Sequence, residues 1–251
     1  GLHYMFSNGN IFEDNLFENN VAGAAIMYSN NIEFRRNAFV HNRGFSSFGI
    51  LFQECNELVA ENNFVIDNAT GIFMEALRKT RFQRNVIAQN DVAMQMFSNS
   101  DENVFTENNF VDNLTTLQLV GKSTTTKWSE DGRGNFWSGY DGYDINEDGR
   151  GDVPWRVQDV FEYLQGNHPR LQLYLDSPAA RALAIAERTF PILKGSEEID
   201  NAPLMRAVEL RYQFGRERTR QSFVPTLVAT IVFVGALAVM WKGQRRQSRR
   251  A

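Results

Sequence analysis

An asparagine repeat with a period in the low twenties constrains the fold more than any other feature of the sequence. The repeated asparagines each open an Asn-x-Phe element, with Ile87 in place of Phe in one of them; they are Asn15, Asn37, Asn62, Asn85 and Asn108. Successive members are 22, 25, 23 and 23 residues apart. A second Asn or Asp follows five residues later, and then a short apolar run such as GIFME. Self-similarity at this period predicts a solenoid, in which each unit buries its apolar face against its neighbours.

The repeat favours an all-β fold, a right-handed parallel β-helix with three strands per coil. Leucine-rich repeats share the period, but their Leu-x-Leu-x-x-Asn pattern does not occur in this sequence. Asparagine suits a β-helix because its side-chain amide can hydrogen-bond the equivalent residue one coil away, about 4.8 Å along the axis. It also tolerates the left-handed backbone of sharp corners. We therefore expect about five coils over residues 1–122, joined by a ladder of the repeated asparagines.

Methionines recur in the apolar runs of the repeat. Strand alternation predicts one column of side chains across the coils, made of Met5, Met27, Phe52, Met74 and Met96. Thioethers are soft ligands for Cu(I), so such a column is a candidate copper track. Methionine and phenylalanine between aliphatic residues are also typical of a core, and this second interpretation is favoured.

Residues 123–160 are predicted to form a capping segment, because aromatic side chains there flank an acidic, glycine-rich loop. The loop DINEDGRGD has the ligand spacing of a calcium loop of the EF-hand type, with oxygen donors at Asp144, Asn146, Asp148, Arg150 (through its carbonyl) and Asp152. Trp155 stands where that loop has a bidentate Glu. A turn cluster without metal is the alternative. In either case we expect the loop to be structural and the nearby Trp and Tyr residues to close the end of the core.

Two segments make the sequence recognisable as a whole. The string GNFWSGYDGYDINEDGRGDVPW follows the asparagine-rich coils, and LYLDSPAARALAIAERTFPIL and DNAPLMR lie downstream. Over residues 1–206 the sequence resembles the NosD family of nitrous-oxide-reductase maturation proteins. The resemblance implies a periplasmic β-helix that works with the membrane subunit of an ABC transporter and a copper chaperone to deliver copper to the reductase. It implies no particular copper ligands.

Copper ligands can still be suggested from residue type, because Cu(I) transfer needs two or three sulfur or nitrogen donors that converge at an exposed place. His3 and Met5 share a face of one strand by alternation, so they qualify only if that face is not core. The remaining copper candidates are His41, Met94 and Met96, with Cys55 and His168 as weaker additions.

The C-terminal third of the sequence predicts helices and a membrane anchor. Helices are expected after Ser177–Pro178 and from Pro203 to Arg218. They either pack on the end of the solenoid or dock on a membrane partner, and the family resemblance favours a docking segment over residues 161–222. Residues 223–241 carry no charge and are long enough to cross a bilayer. The basic residues in 242–251 place that tail in the cytoplasm and the coils on the periplasmic side of the cytoplasmic membrane. Since Gly1 begins within a repeat, we expect the chain to be the C-terminal portion of a longer protein without its signal peptide.

Enzymes that process polysaccharides also use parallel β-helices, and they are the main alternative to copper delivery. Such chemistry needs paired carboxylates, or a base beside an Arg or Lys that neutralises a sugar acid. The acidic candidates on the coils, which do not recur as a pair in one column, are Asp67, Glu75, Asp91 and Asp112. We therefore predict no catalytic residues. A tethered carbohydrate-binding scaffold is a third possibility, whereas a net charge of −4 argues against a nucleic-acid partner.

Overall fold

A computed structural model describes residues 1–158 and 197–210 of the chain, together with residues 162, 164, 177–179, 182 and 186. These residues form a parallel β-solenoid with three sheets, which confirms the predicted fold class at this level. Sheet A contains β1 (Leu2–Met5), β4 (Ala22–Met27), β7 (Phe48–Gln53), β10 (Thr70–Glu75), β13 (Val92–Phe97) and β16 (Thr115–Val120). Sheet B contains β2 (Ile11–Glu13), β5 (Glu33–Arg35), β8 (Val59–Glu61), β11 (Arg81–Gln83) and β14 (Val104–Thr106). Sheet C contains β3 (Leu16–Glu18), β6 (Ala38–Val40), β9 (Phe64–Ile66), β12 (Val86–Ala88), β15 (Asn109–Val111) and β17 (Phe136–Trp137).

An asparagine ladder runs along the corner between sheets B and C. Each ladder asparagine donates from its backbone N–H and its side-chain amide to the Oδ1 atom of the next one, as Asn85 does to Asn108 at 2.9 Å for both bonds. The ladder members are Asn15, Asn37, Asn63, Asn85, Asn108 and Asn135. Because the side chains from Asn37 onward are buried, these bonds satisfy polar groups that have no access to water.

The structure corrects one predicted member of this ladder. Asn63 occupies the ladder position, and Asn62, which was predicted there, is the residue before it. The Asn62-x-Phe64 motif is misleading, because Val65 and not Phe64 pairs with Phe39 of the preceding coil. The second interval is therefore 26 residues, from Asn37 to Asn63, since the insertion after Asn42 is one residue longer than the motif suggests.

The left-handed corner residues are also displaced from the predicted ones. From Asn15 to Asn108, the backbone takes positive φ at the residue before each ladder asparagine, for example at Arg36 (52°), Asn62 (56°) and Glu107 (56°). Asparagine is therefore present in the ladder for its hydrogen bonds, whereas residues of several types accept the left-handed corner.

The core columns differ from the predicted methionine column by one residue. Inside sheet A, Ile26 pairs with Phe52, Phe52 with Met74, and Met74 with Met96. Met5 pairs instead with Met27, and Met27 with Gln53, in a column on the outer face. The alternation of a strand explains the error, because a shift by one residue exchanges the two faces.

Tryptophan side chains close the C-terminal end of the core. Trp128 stacks on Phe105 with ring centroids 4.8 Å apart, and Trp137 stacks on Phe110 at 4.3 Å. Trp155 stacks in turn on Trp137. Because Trp128 and Trp137 are almost fully buried, they cover the last aromatic layer of the solenoid.

Residues 197–208, here named the strap, complete this cap. Within the strap, β19 (Ile199–Asp200) pairs antiparallel with β18 (Trp155–Arg156). Leu204 forms a parallel bridge to Phe136, and Val208 exchanges two hydrogen bonds with the side chain of Asn109, each 2.8 Å long. The helix predicted from Pro203 to Arg218 is therefore wrong over residues 203–210, where the backbone is extended or bent. The rest of that helix, and most of the one after Ser177, fall on residues outside the described ranges.

Candidate functional site

The outer face of the first two coils carries two of the proposed copper ligands. In β1, Leu2 and Tyr4 pack against the core, so His3 and Met5 point away from it. Both are exposed, Met5 to 38%. His3 and Met5 qualify as copper ligands only if their shared face is not core, and the structure places that face outside the core.

The other copper candidates lie elsewhere. Met94 and Met96 are fully buried inside β13, four sheet A strands away from β1. At about 4.8 Å per strand this places them roughly 19 Å along the axis from His3. Their thioethers fill the core, as the favoured interpretation held, and Thr124 and Thr126 contact the sulfur of Met96 through their hydroxyls. The five candidates do not form one cluster.

His41 lies on a corner of the solenoid, where it belongs to a network of charges. Its Nδ1 is 2.5 Å from Oδ2 of Asp67, and Arg43 binds both Asp67 and Asp91. Burial acts to raise the pKa of Asp67, but hydrogen bonds from Arg43 and His41 outweigh it, so that this pKa lies below its usual value. The carboxylate is thus held in its charged form by its neighbours.

The same network bears on the polysaccharide alternative. It brings together Asp67 and Asp91, which the sequence did not pair, but Arg43 bridges the two acids. Glu75 accepts a hydrogen bond from Gln53 on the preceding coil. Each of these carboxylates is engaged by a neighbouring side chain, and this favours a structural role on the coil surface over general acid–base chemistry.

The acidic loop is organised by its own backbone. The Asp144 carboxylate accepts hydrogen bonds from the N–H groups of Asp148 and Gly149, and Asp152 accepts one from Ile145 at 2.7 Å. Gly149, at position 6 of the calcium pattern, has a φ of 84°, as a sharp turn there requires. Among the described residues, no group of three or more His, Cys, Asp or Glu side chains is placed to hold a metal. The geometry therefore gives the Ca²⁺ prediction for Asp144, Asn146, Asp148, Arg150 and Asp152 no support.

The most deeply buried acids of the cap were not found from the sequence. Glu198 accepts hydrogen bonds from Trp128 Nε1 at 2.7 Å and from the N–H of Thr124 at 2.8 Å. Asp200 accepts from Trp137 Nε1 at 2.9 Å and from the N–H of Asn135 at 2.7 Å. Desolvation raises the pKa of both acids in spite of these bonds. Their signal in the sequence is the alternation Glu198-x-Asp200, which puts two acids on one face of a strand.

Two weaker predictions remain to be located. Cys55 is buried, with its thiol near the carbonyl groups of Ile26 and Gln53, and burial raises the pKa of that thiol. This environment disfavours the thiolate that binds metals. His168 and the predicted membrane span over residues 223–241 lie outside the described residues. Within the described part of the chain, no helix meets the length and hydropathy needed to cross a bilayer.

Comparison with known proteins places the solenoid in a family. Residues 1–142 match the family model described as periplasmic copper-binding protein (NosD). Two relatives carry the name "Probable ABC transporter binding protein NosD". The protein from Stutzerimonas stutzeri is 29% identical over 175 residues, which cover 64% of this chain and 40% of the relative. The protein from Pseudomonas aeruginosa is 34% identical over 126 residues, which cover 50% of this chain and 29% of the relative. The chain thus matches less than half the length of either relative.

Proposed function

Because the chain belongs to the NosD family, we propose that it is a periplasmic accessory protein that works with an ABC transporter to deliver copper to nitrous-oxide reductase. The observation that carries this proposal is the family match over residues 1–142, which extends from the first coil to Trp137 of the cap. The relatives' name supports an ABC transporter as partner. The copper chaperone and the reductase enter the proposal through the sequence resemblance.

The physical character of the solenoid fits a protein that presents surfaces to partners. Ladder hydrogen bonds and stacked rings hold neighbouring coils in register, so that side chains on the outer faces keep fixed spacings along the axis. Preformed spacing favours recognition, because fewer rotamers and loops must be ordered on binding. Copper would then be cargo that is held at the surface and passed on.

The C-terminal segments complete the proposal. We propose that residues 223–241 anchor the protein in the cytoplasmic membrane, with residues 242–251 on the cytoplasmic side and residues 161–222 contributing to contact with the membrane subunit of the transporter. The strap supports the part of this arrangement that concerns residues 161–222. Its residues 197–208 are hydrogen-bonded to the cap and precede the proposed anchor in the sequence.

Deletion of the gene in its host tests the function. We expect nitrous-oxide reductase from the deletion strain to lack copper by metal analysis, and the intact gene supplied in trans to restore it. The tagged protein should also co-purify from detergent-solubilised membranes with the subunits of the transporter. Copper-loaded reductase from the deletion strain, or a transporter that never co-purifies, would contradict the proposal.

A further inference from the structure

The structure places three soft or borderline metal donors side by side on the outer face of sheet A. Met5 and Met27 are direct register partners in adjacent parallel strands, so their backbones are about 4.8 Å apart. His3 precedes Met5 by two residues on the same face, about 7 Å along the strand. Met27 faces outward as well, because Ala24 and Ile26 of the same strand are fully buried.

Space for convergence comes from the residue opposite His3. Its register partner is Ala25, whose methyl side chain fills little of the surface beside Met27. An imidazole and two flexible thioethers can therefore reach a common point above β1 and β4. In the same outer columns the next coil has Leu51 and Gln53, neither of which is a copper ligand, so on that side the donor set ends at β4.

The backbone under this surface is fixed. Directly after the two methionines, the N–H of Phe6 donates to the carbonyl of Met27 at 3.2 Å, and the rings of Phe6 and Tyr28 stack at 4.8 Å. The spacing of Met5 and Met27 is thus set by the coil, and the flexible methionine side chains, exposed at Met5 and half-buried at Met27, can adjust above it.

We propose that His3, Met5 and Met27 form a surface site for Cu(I), with two thioether sulfurs and one imidazole nitrogen as ligands. This donor set matches Cu(I), which prefers soft thioethers and also accepts imidazole. The partial exposure of the site suits an ion that is received and handed on. The proposal rests on copper handling as the proposed function and assigns it to specific residues.

Anaerobic titration of the full chain with Cu(I), against a chromophoric Cu(I) chelator, tests the site. We expect one Cu(I) per chain, and we expect Met5→Leu, Met27→Leu and His3→Ala each to weaken binding by at least roughly tenfold. Leucine conserves the volume of methionine, so these outer-face variants should fold like the parent, which circular dichroism can verify. X-ray absorption of the loaded parent protein should show two sulfur ligands and one nitrogen ligand.

Matched controls come from the candidates that the structure places elsewhere. Met94→Leu and Met96→Leu change buried methionines, and His41→Gln changes an exposed histidine on another corner, so all three should leave the Cu(I) affinity unchanged. A double variant Met5→Leu/Met27→Leu with the parent's affinity would overturn the site, as would a copper shell without sulfur.

The outcomes for the site and for the function are separable. If the double variant binds Cu(I) normally while gene deletion still yields copper-free reductase, the site is wrong and the proposed function stands. If the double variant loses Cu(I) but gene deletion leaves the reductase loaded, the site stands and the function fails.

Discussion

Asp200 accepts hydrogen bonds at Oδ2 from both the backbone N–H and the side-chain amide of Asn135, at 2.7 and 3.4 Å. These are the two donors that every ladder asparagine presents to the next one, so Asp200 takes the place of a further rung. Asp200 comes from the strap, 65 residues further along the chain, and not from another coil. A carboxylate suits this terminal position, because the ladder delivers donors here and needs only acceptors.

Replacement of Asp200 should therefore destabilise the cap strongly. Asp200→Ala leaves the N–H groups of Asn135 and Ala202 and the indole of Trp137 without their acceptor in a buried site. We expect the free energy of unfolding to fall by about 3 kcal/mol, and by about 1 to 2 kcal/mol for Asp200→Asn, which keeps one acceptor oxygen. Urea unfolding followed by tryptophan fluorescence measures both values. The exposed Asp112→Asn serves as control, and an equal effect of all three changes would refute the role assigned to Asp200.

Gly134 should be coupled to Asp200, since a β-carbon at position 134 would lie 2.0 Å from the Asp200 carboxylate. Gly134→Ala is expected to displace the strap and to cost about as much as Asp200→Ala, roughly 3 kcal/mol. The double variant should be little worse than either single variant, which a double-mutant cycle of unfolding free energies can establish.

Gly139 offers a matched glycine for this cycle. A β-carbon there would meet Trp155 at 3.6 Å, an ordinary contact, so Gly139→Ala should be tolerated. Simple additivity of Gly134→Ala and Asp200→Ala would show that the glycine does not act through the carboxylate.

The register of the asparagine ladder can be tested at two adjacent residues. Asn63 donates to Phe34 and Asn85 and accepts from Asn37, whereas Asn62 lies at a left-handed corner with a φ of 56° that glycine adopts without strain. Asn63→Gly should lower the free energy of unfolding by about 3 kcal/mol, and Asn62→Gly by less than about 1 kcal/mol. Chemical denaturation of the two variants measures the contrast. A larger loss at position 62 would contradict the observed ladder.

These two residues also show how far the sequence determines the fold. The period alone was sufficient for the solenoid and its sheets, because one coil can only bury its apolar side chains against another. The register of the repeat within a coil was ambiguous at one point. Either Asn62 or Asn63 fits the repeated position, and the length of the insertion after Asn42 does not decide between them. An error of one residue also placed the outward Met5 and Met27 in one column with the inward Met74 and Met96. Side chains alternate along a strand, so a shift by one residue changes the face.

The strap was beyond the reach of these patterns. The repeat ends at Asn135, and its last acceptor comes from Asp200 in a segment without periodicity. Pairing between distant segments leaves little trace in local sequence, and Pro203 alone fits the pattern of a helix start. Likewise, the outer-face position of Met27 beside Met5 depends on strand register, which only the structure supplies.

The buried acid Glu198 should make the stability of the cap depend on pH. Burial raises its pKa above the ordinary value of 4.5, although Thr124 and Trp128 donate hydrogen bonds to it. A raised pKa in the folded state means that the protonated acid is favoured there. Its contribution to stability is therefore full below pH 4.5 and is lost as the pH rises through the folded-state pKa. Four other acids have lowered pKa values and act in the opposite sense: Asp14, Asp67, Glu107 and Glu130. The pH dependence of the whole protein's stability therefore does not report Glu198 directly.

Comparison with Glu198→Gln isolates this contribution, because the variant keeps one acceptor oxygen and removes the titration. We expect the parent protein to be more stable than the variant, and we expect this difference in unfolding free energy to grow as the pH is lowered from 7.5 toward about 4.5. Urea unfolding of both proteins at several pH values gives the difference directly, and the four opposing acids cancel in it because both proteins contain them. A difference that shrinks on acidification would mean that the hydrogen bonds from Thr124 and Trp128 outweigh burial and that the pKa of Glu198 is lowered in the cap.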